Sequence, residues 1–189
     1  MSGAIFATLI GAGGFAPVTR TYTSGTAQTE TVPVGASSVT IRAVGGGGSG
    51  AKDSISDPGG GGSGGYPSRA IAVVGGNTMT YTVGQGGPGQ AADQTNGNNG
   101  TNSTVSGTVS GGVIAMTGGT GGGGLSGGAG GGAAGTATGG TSNTAGNAGA
   151  AIITAGASVY GGYGAGSNGK IVAGASFAGG NGVVIFEYT

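Results

Sequence analysis

The chain has 189 residues, of which 54 are glycine, about four times the usual ~7% share. Five Lys and Arg offset five Asp and Glu, and cysteine and histidine are absent. This excludes a disulfide framework, a thiolate metal site and a side chain that titrates near neutrality, and it leaves no basic stripe to neutralise nucleic-acid phosphates.

Collagen is excluded too, because Gly-X-Y does not persist and only five prolines are present. A net charge of zero favours association over colloidal repulsion. At this length one domain is the default, and no run of 18 apolar residues exists to span a membrane.

Residues 1–18 carry no charge but contain Ile5, Phe6, Leu9, Ile10 and Phe15. The stretch 4–10 resembles a signal core without its positive leader, so it reads as an uncleaved strand or docking segment. Termini are ordered only where something holds them, which leaves two readings. The segment packs on its own domain, or it docks on a neighbouring subunit through those five apolar residues.

From Thr19 the pattern is β. Residues 19–24, 29–34 and 38–44 alternate with period two, and Val39, Ile41 and Ala43 share a face. Residues 69–74 and 78–83, joined through Gly75-Gly76-Asn77, predict a hairpin with Met79, Tyr81 and Val83 inward. Residues 104–109 and 112–116 form a weaker pair. The closing run Val183-Val184-Ile185-Phe186 is apolar on both faces, as in a strand covered on two sides.

No segment shows a helical period or a capped helical start. The expectation is therefore an all-β fold. It has an antiparallel, jelly-roll-like β-sandwich frame in a single domain over 19–189, interrupted by glycine-rich insertions at about 45–65, 84–100 and 117–181.

Within the last insertion Gly118, Gly121, Gly124, Gly127 and Gly130 recur every third residue. Three residues per turn is the period of polyproline II, which makes no internal hydrogen bonds and must pair with neighbours. Packed polyglycine II helices over 118–135 are one reading, and long irregular glycine loops are the other.

Several motifs carry little chemistry. Gly45, Gly47 and Gly50 satisfy G-x-G-x-x-G after a strand, but the residues that follow cannot open a helix. Ser167 and Lys170 match S-x-x-K without the helical turn that would unite them. Asp53 and Asp57, with Ser54 and Ser56, are too few carboxylates for a tight calcium site and read as a solvated turn. Asn99 and Asn102 begin glycosylation sequons, to which no weight attaches. With no clustered carboxylates either, no enzyme chemistry and no cofactor is expected.

Tyr66, Tyr160 and Tyr163 stand among glycines. They read as rigid, amphipathic anchors for surface recognition or as lids over a core poor in side chains.

The segments ETVPVGASSVTIRAVGGGGSG (30–50), GGGGSGGYPSRAIAVVGGNTMTYTVGQGGPG (59–89) and GGNGVVIFEY (179–188) resemble the glycine-rich domain of bacteriophage tail-fibre and other virion proteins. The resemblance implies a non-enzymatic virion structural protein of a phage tail or fibre. Such a protein would act in assembly with other virion proteins, as a homo-oligomer for which a trimer is favoured, and in attachment to a host-surface receptor. It implies no nucleic-acid partner. A bacterial surface adhesin and an ice-binding protein are the alternatives.

Overall fold

The computed structural model describes residues 14–127, 130–151, 153–171 and 174–189. Among these, ten strands form two antiparallel five-stranded sheets packed as a sandwich. One sheet has the order β1 (Val18–Tyr22), β10 (Val183–Tyr188), β3 (Ser38–Val44), β4 (Tyr66–Ala72), β9 (Ser142–Thr144). The other has the order β2 (Gln28–Thr31), β5 (Thr78–Thr82), β6 (Ser103–Val109), β7 (Gly112–Gly118), β8 (Ala137–Thr138).

Period-two alternation decides which side chains meet between the sheets. Val39, Ile41 and Ala43 of β3 join Val184, Phe186 and Tyr188 of β10, facing Met79, Tyr81, Val105, Ile114 and Met116 of the opposite sheet. Each large apolar side chain contributes roughly 1.5–3 kcal/mol by leaving water. Tyr22 stacks on Tyr81 with centroids 4.4 Å apart, and Phe186 meets both rings edge-on.

The hairpin expected across 69–83 does not form. β4 pairs with β3 and β5 pairs with β2 and β6, so the intervening turn arches from one sheet to the other. Ile71 and Val73 therefore enter the core from one sheet, and Met79 and Tyr81 enter it from the other. Gly76, at φ +87°, permits the tight reversal. By contrast, β10 is covered on both faces as its sequence implies. Val184, Phe186 and Tyr188 face the sandwich core, while Val183 and Ile185 join Val44 in a second cluster on the outer side.

Beyond the sandwich lies an array built from the glycine insertions. Gly45, Gly48 and Ala51 donate backbone N–H groups to the carbonyls of Gly65, Gly62 and Gly59. Gly46, Ser49 and Lys52 donate to Thr101, Asn98 and Thr95, and Gly47 to Gly180. The donors thus rotate through three directions with a period of three, the scheme of polyglycine II.

Segment 45–51 touches six neighbours through backbone hydrogen bonds, at 59–65, 87, 98–101, 121–124, 167–170 and 180. Segment 59–65 behaves in the same way. Gly59, Gly62 and Gly65 donate to Leu125, Gly122 and Gly119, while Gly60 and Ser63 donate to Ala150 and Asn147. Backbones this close leave no room for a side chain. A methyl group on Gly48 would lie 2.0 Å from the Gly122 carbonyl oxygen, and one on Gly61 would lie 2.1 Å from that of Gly48.

The three-residue period expected along 118–135 holds in two arms and breaks between them. Gly121 and Gly124 donate to Gly46 and Ser49, whereas Gly119, Gly122 and Leu125 donate to Thr136, Ala133 and Gly130 of the returning arm. Gly127 at φ +72° and Gly130 at φ +117° belong to the reversal rather than to a continuous helix.

Candidate functional site

The strand registers give the molecule two poles. β3 runs from Ser38 towards Val44 and directly into the array, and β10 leaves the array at Gly182. Val18 pairs with Tyr188, so the N-terminal end of β1 lies at the pole away from the array. There Phe15 packs on the sandwich core beside Gly35, and Val34 (90% exposed) and Val74 project into solvent. Phe15 therefore contacts its own domain. Ile5, Phe6, Leu9 and Ile10 lie outside the described residues.

The array's turns gather at the opposite pole. Asp53 holds them together: its carboxylate accepts N–H groups from Ile55 (2.9 Å), Ser56 (3.1 Å) and Gly127 (2.8 Å). Those backbone bonds keep its carboxyl below the usual range. Asp93 accepts from the Ser54 N–H (2.8 Å) and hydroxyl, which lowers its carboxyl likewise, and Lys52 Nζ donates to the Ala91 carbonyl (2.6 Å). Ile55 and Phe177 are exposed here, and Lys170 Nζ lies 5.2 Å from the Phe177 ring centroid. Gln94 (φ +53°) and Ile153 (φ +68°) hold left-handed backbone in these turns, an uncommon conformation that is costly for a β-branched residue.

Between the poles, on the outer face of the β1-β10-β3-β4-β9 sheet, the three predicted tyrosines converge. Tyr66, Tyr160 and Tyr163 pack over Val44, Val183 and Ile185. Tyr66 and Tyr160 stack with centroids 4.8 Å apart and planes 17° from parallel. The Arg42 guanidinium, ion-paired with Glu187, lies 6.0 Å from the Tyr160 centroid. Burial opposes the Arg42 charge less than Glu187 favours it, so its pKa is raised.

A tight turn with Gly161 at φ +55° and Gly162 at φ +86° sets the ring positions. It is pinned by the Ser158 hydroxyl donating to the Tyr163 carbonyl (2.6 Å). The tyrosines cover a core, as one reading held. Among the described residues no hydrogen-bond partner meets their hydroxyls.

The remaining motifs resolve into packing. Gly45, Gly47 and Gly50 are interior to the array. Ser167 is buried, its Oγ accepting from Gly50 N (2.8 Å) and donating to the Phe177 carbonyl (2.5 Å). Asn99 and Asn102 lend their side-chain oxygens to the N–H groups of Gly123 (2.8 Å) and Thr120 (3.1 Å), and Asn96 does the same for Ser126 (2.8 Å). That ladder, spaced by three, was visible in the sequence once the three-residue period was taken as structural.

Sequence reasoning missed Glu30. It is 1% exposed and accepts from Tyr188 Oη (2.7 Å), Tyr22 Oη (2.6 Å) and Arg20 Nη1 (2.8 Å), joining the two sheets. Burial and the bond to Glu30 push the Tyr22 hydroxyl up to about 12 and raise Tyr188 further.

A family described as glycine-rich domain matches residues 21–189. No curated protein matches the chain. No helix among the described residues is long and apolar enough to cross a membrane.

Proposed function

Since the chain belongs to the glycine-rich domain family, we propose that it is a non-enzymatic structural protein of a bacteriophage virion, acting in the tail or tail fibre in assembly and host-surface attachment. The observation that supports this reading is the bipolar layout. One pole carries the exposed Val34 and Val74 beside the entry of the apolar N-terminal segment, and the other gathers the array's turns around Asp53.

In this reading the residues before Phe15 dock to other virion proteins or to neighbouring copies in a homo-oligomer, a trimer in the favoured arrangement. The far turns, with Ile55 and Phe177 exposed, meet a host receptor, and Tyr66, Tyr160 and Tyr163 form a lateral contact through their hydroxyls. A rigid array suits attachment because turns held by backbone bonds lose little freedom on binding.

Mass spectrometry of purified particles from the source culture tests the assignment. The expected result is this chain in stoichiometric amount, with deletion of residues 1–13 abolishing its incorporation. Particles that lack the chain would overturn the reading. An antibody fragment against 52–57 is expected to block adsorption to host cells, while one against the β2–β5 edge is not.

A further inference from the structure

The chain contains four Asn-Gly pairs, Asn96-Gly97, Asn99-Gly100, Asn168-Gly169 and Asn181-Gly182, and all four are hydrogen-bonded into the array. In an unrestrained chain such a pair cyclises spontaneously, because glycine has no Cβ to hinder approach to its backbone nitrogen. That nitrogen gives up its proton and bonds to the asparagine Cγ, and the side-chain nitrogen leaves as ammonia, closing a succinimide. Water then opens the ring at one carbonyl or the other, giving aspartate or isoaspartate. All four asparagines are exposed, so burial of the side chain does nothing to prevent this.

The array engages both reacting groups of every pair. Each glycine N–H donates to a carbonyl of another segment: Gly97 to Gly124 (2.7 Å), Gly100 to Gly121 (3.1 Å), Gly169 to Ile153 (3.1 Å) and Gly182 to Gly84 (2.9 Å). Each asparagine Oδ1 accepts a backbone N–H from another segment. Asn96 accepts from Ser126 (2.8 Å), Asn99 from Gly123 (2.8 Å), Asn168 from Ala155 (3.0 Å) and Asn181 from Gly86 (2.9 Å). A donated proton is harder to remove, and a carboxamide tied to another segment does not swing onto the nitrogen beside it. Gly100, Gly169 and Gly182 are buried besides, away from the hydroxide that would take the proton.

We infer that these four asparagines are latent modification sites, silent in the closed array and converted to aspartate and isoaspartate when a segment opens. The conversion then keeps the array from closing again. Isoaspartate carries the main chain through its side-chain carbon and so lengthens the backbone by one methylene. Thr95, Asn98 and Thr101 present carbonyls at every third residue to Lys52, Ser49 and Gly46, and Asn96 and Asn99 lie between them. An added methylene at either position breaks that spacing, and the lattice has no slack to absorb it. Even a methyl group on Gly100 would lie 2.4 Å from the Gly46 carbonyl oxygen. A brief opening therefore leaves the array intact, whereas a prolonged one ages it permanently. The inference does not rest on the virion assignment.

The test follows deamidation by mass-spectrometric peptide mapping, at mildly alkaline pH, of the full folded protein and of the same chain in guanidinium chloride. All four sites are expected to convert in the denatured chain, and each is expected to be slowed at least ~100-fold in the fold, where reaction must wait for local opening. Amide hydrogen exchange supplies the sharper criterion. Exchange and cyclisation both need release of the same glycine N–H, so at each site the slowing of deamidation should equal or exceed the exchange protection of Gly97, Gly100, Gly169 or Gly182. A site that converts in the folded protein at the denatured rate, or faster than its glycine amide exchanges, would overturn the inference. Chains held denatured for increasing times and then refolded are expected to lose their cooperative melt in step with isoaspartate content. Full recovery of that melt by isoaspartate-bearing chains would overturn the claim that the array cannot close again.

Discussion

The sandwich and the array are two solutions to the same problem within one chain. In the sandwich, side chains such as Phe186 and Ile41 fill the space between layers. In the array, peptide groups themselves are the packing units, and segments 45–51 and 59–65 are wholly buried without one large side chain. The first region depends on apolar area removed from water, the second on a hydrogen-bond lattice that stands only if nothing projects from its inner members. Abundant glycine is therefore a packing specification here, as strict as any apolar core.

The sharpest way to break that comparison is a single methyl group. Gly48→Ala places it 2.0 Å from the Gly122 carbonyl, and the expected cost exceeds about 4 kcal/mol, seen as loss of the cooperative melt. Gly162→Ala adds the same group where nothing lies within 4 Å. There the φ of +86° alone sets a cost of about 1 kcal/mol. Equal melting temperatures for the two variants would refute backbone packing as the array's basis.

Within the sandwich, Phe186→Ala is expected to cost about 3–5 kcal/mol, but Ile41→Leu less than about 1.5, because side-chain cores accept repacking at similar volume. Denaturant titration distinguishes the two.

Glu30→Ala leaves two tyrosine hydroxyls and a guanidinium without their acceptor, for about 2–3 kcal/mol. The same cluster sets an alkaline limit. Tyr22 ionises at 10.0 when unperturbed and at about 12 in the fold, so its contribution is complete below pH 10 and is lost as pH rises to about 12. Thermal melts from pH 9 to 12 should show this fall, and Tyr22→Phe should reduce it.

Smaller losses than at Glu30 are expected at Ser49 and Ser63, whose hydroxyls accept the N–H groups of Asn98 and Asn147 (2.7 Å each). Alanine at either position is expected to cost about 1–2 kcal/mol, and the two should add, since each serves a different outer strand.

Legibility followed the physics of each region. Period-two runs such as 38–44 and 183–188 exposed their strands and faces, because burial on one or both sides marks every residue. The three-residue glycine period of 118–124 was equally plain, since inward positions exclude every other residue type. What stayed hidden was partner choice. The turn at 75–77 looks the same whether it closes a hairpin or arches between sheets, and only the opposing layer decides. Tyr66 meets Tyr160 because β4 lies beside β3 near the start of the array, a proximity no local pattern encodes. Glu30 sits in a polar run, QTET, in which nothing distinguishes the one buried position from its exposed neighbours.

The backbone interior of segments 45–51 and 59–65 also sets how the protein responds to temperature. Unfolding a side-chain core hydrates apolar surface and raises the heat capacity by about 0.45 cal/K/mol per Å², whereas exposing peptide groups lowers it by about 0.26. With so much of its interior made of peptide groups, the chain should unfold with a heat-capacity increment well below the ~12–15 cal/mol/K per residue of ordinary domains. A smaller increment flattens the stability curve, so the fold tolerates cold and warmth over a broader span than a sandwich of equal size.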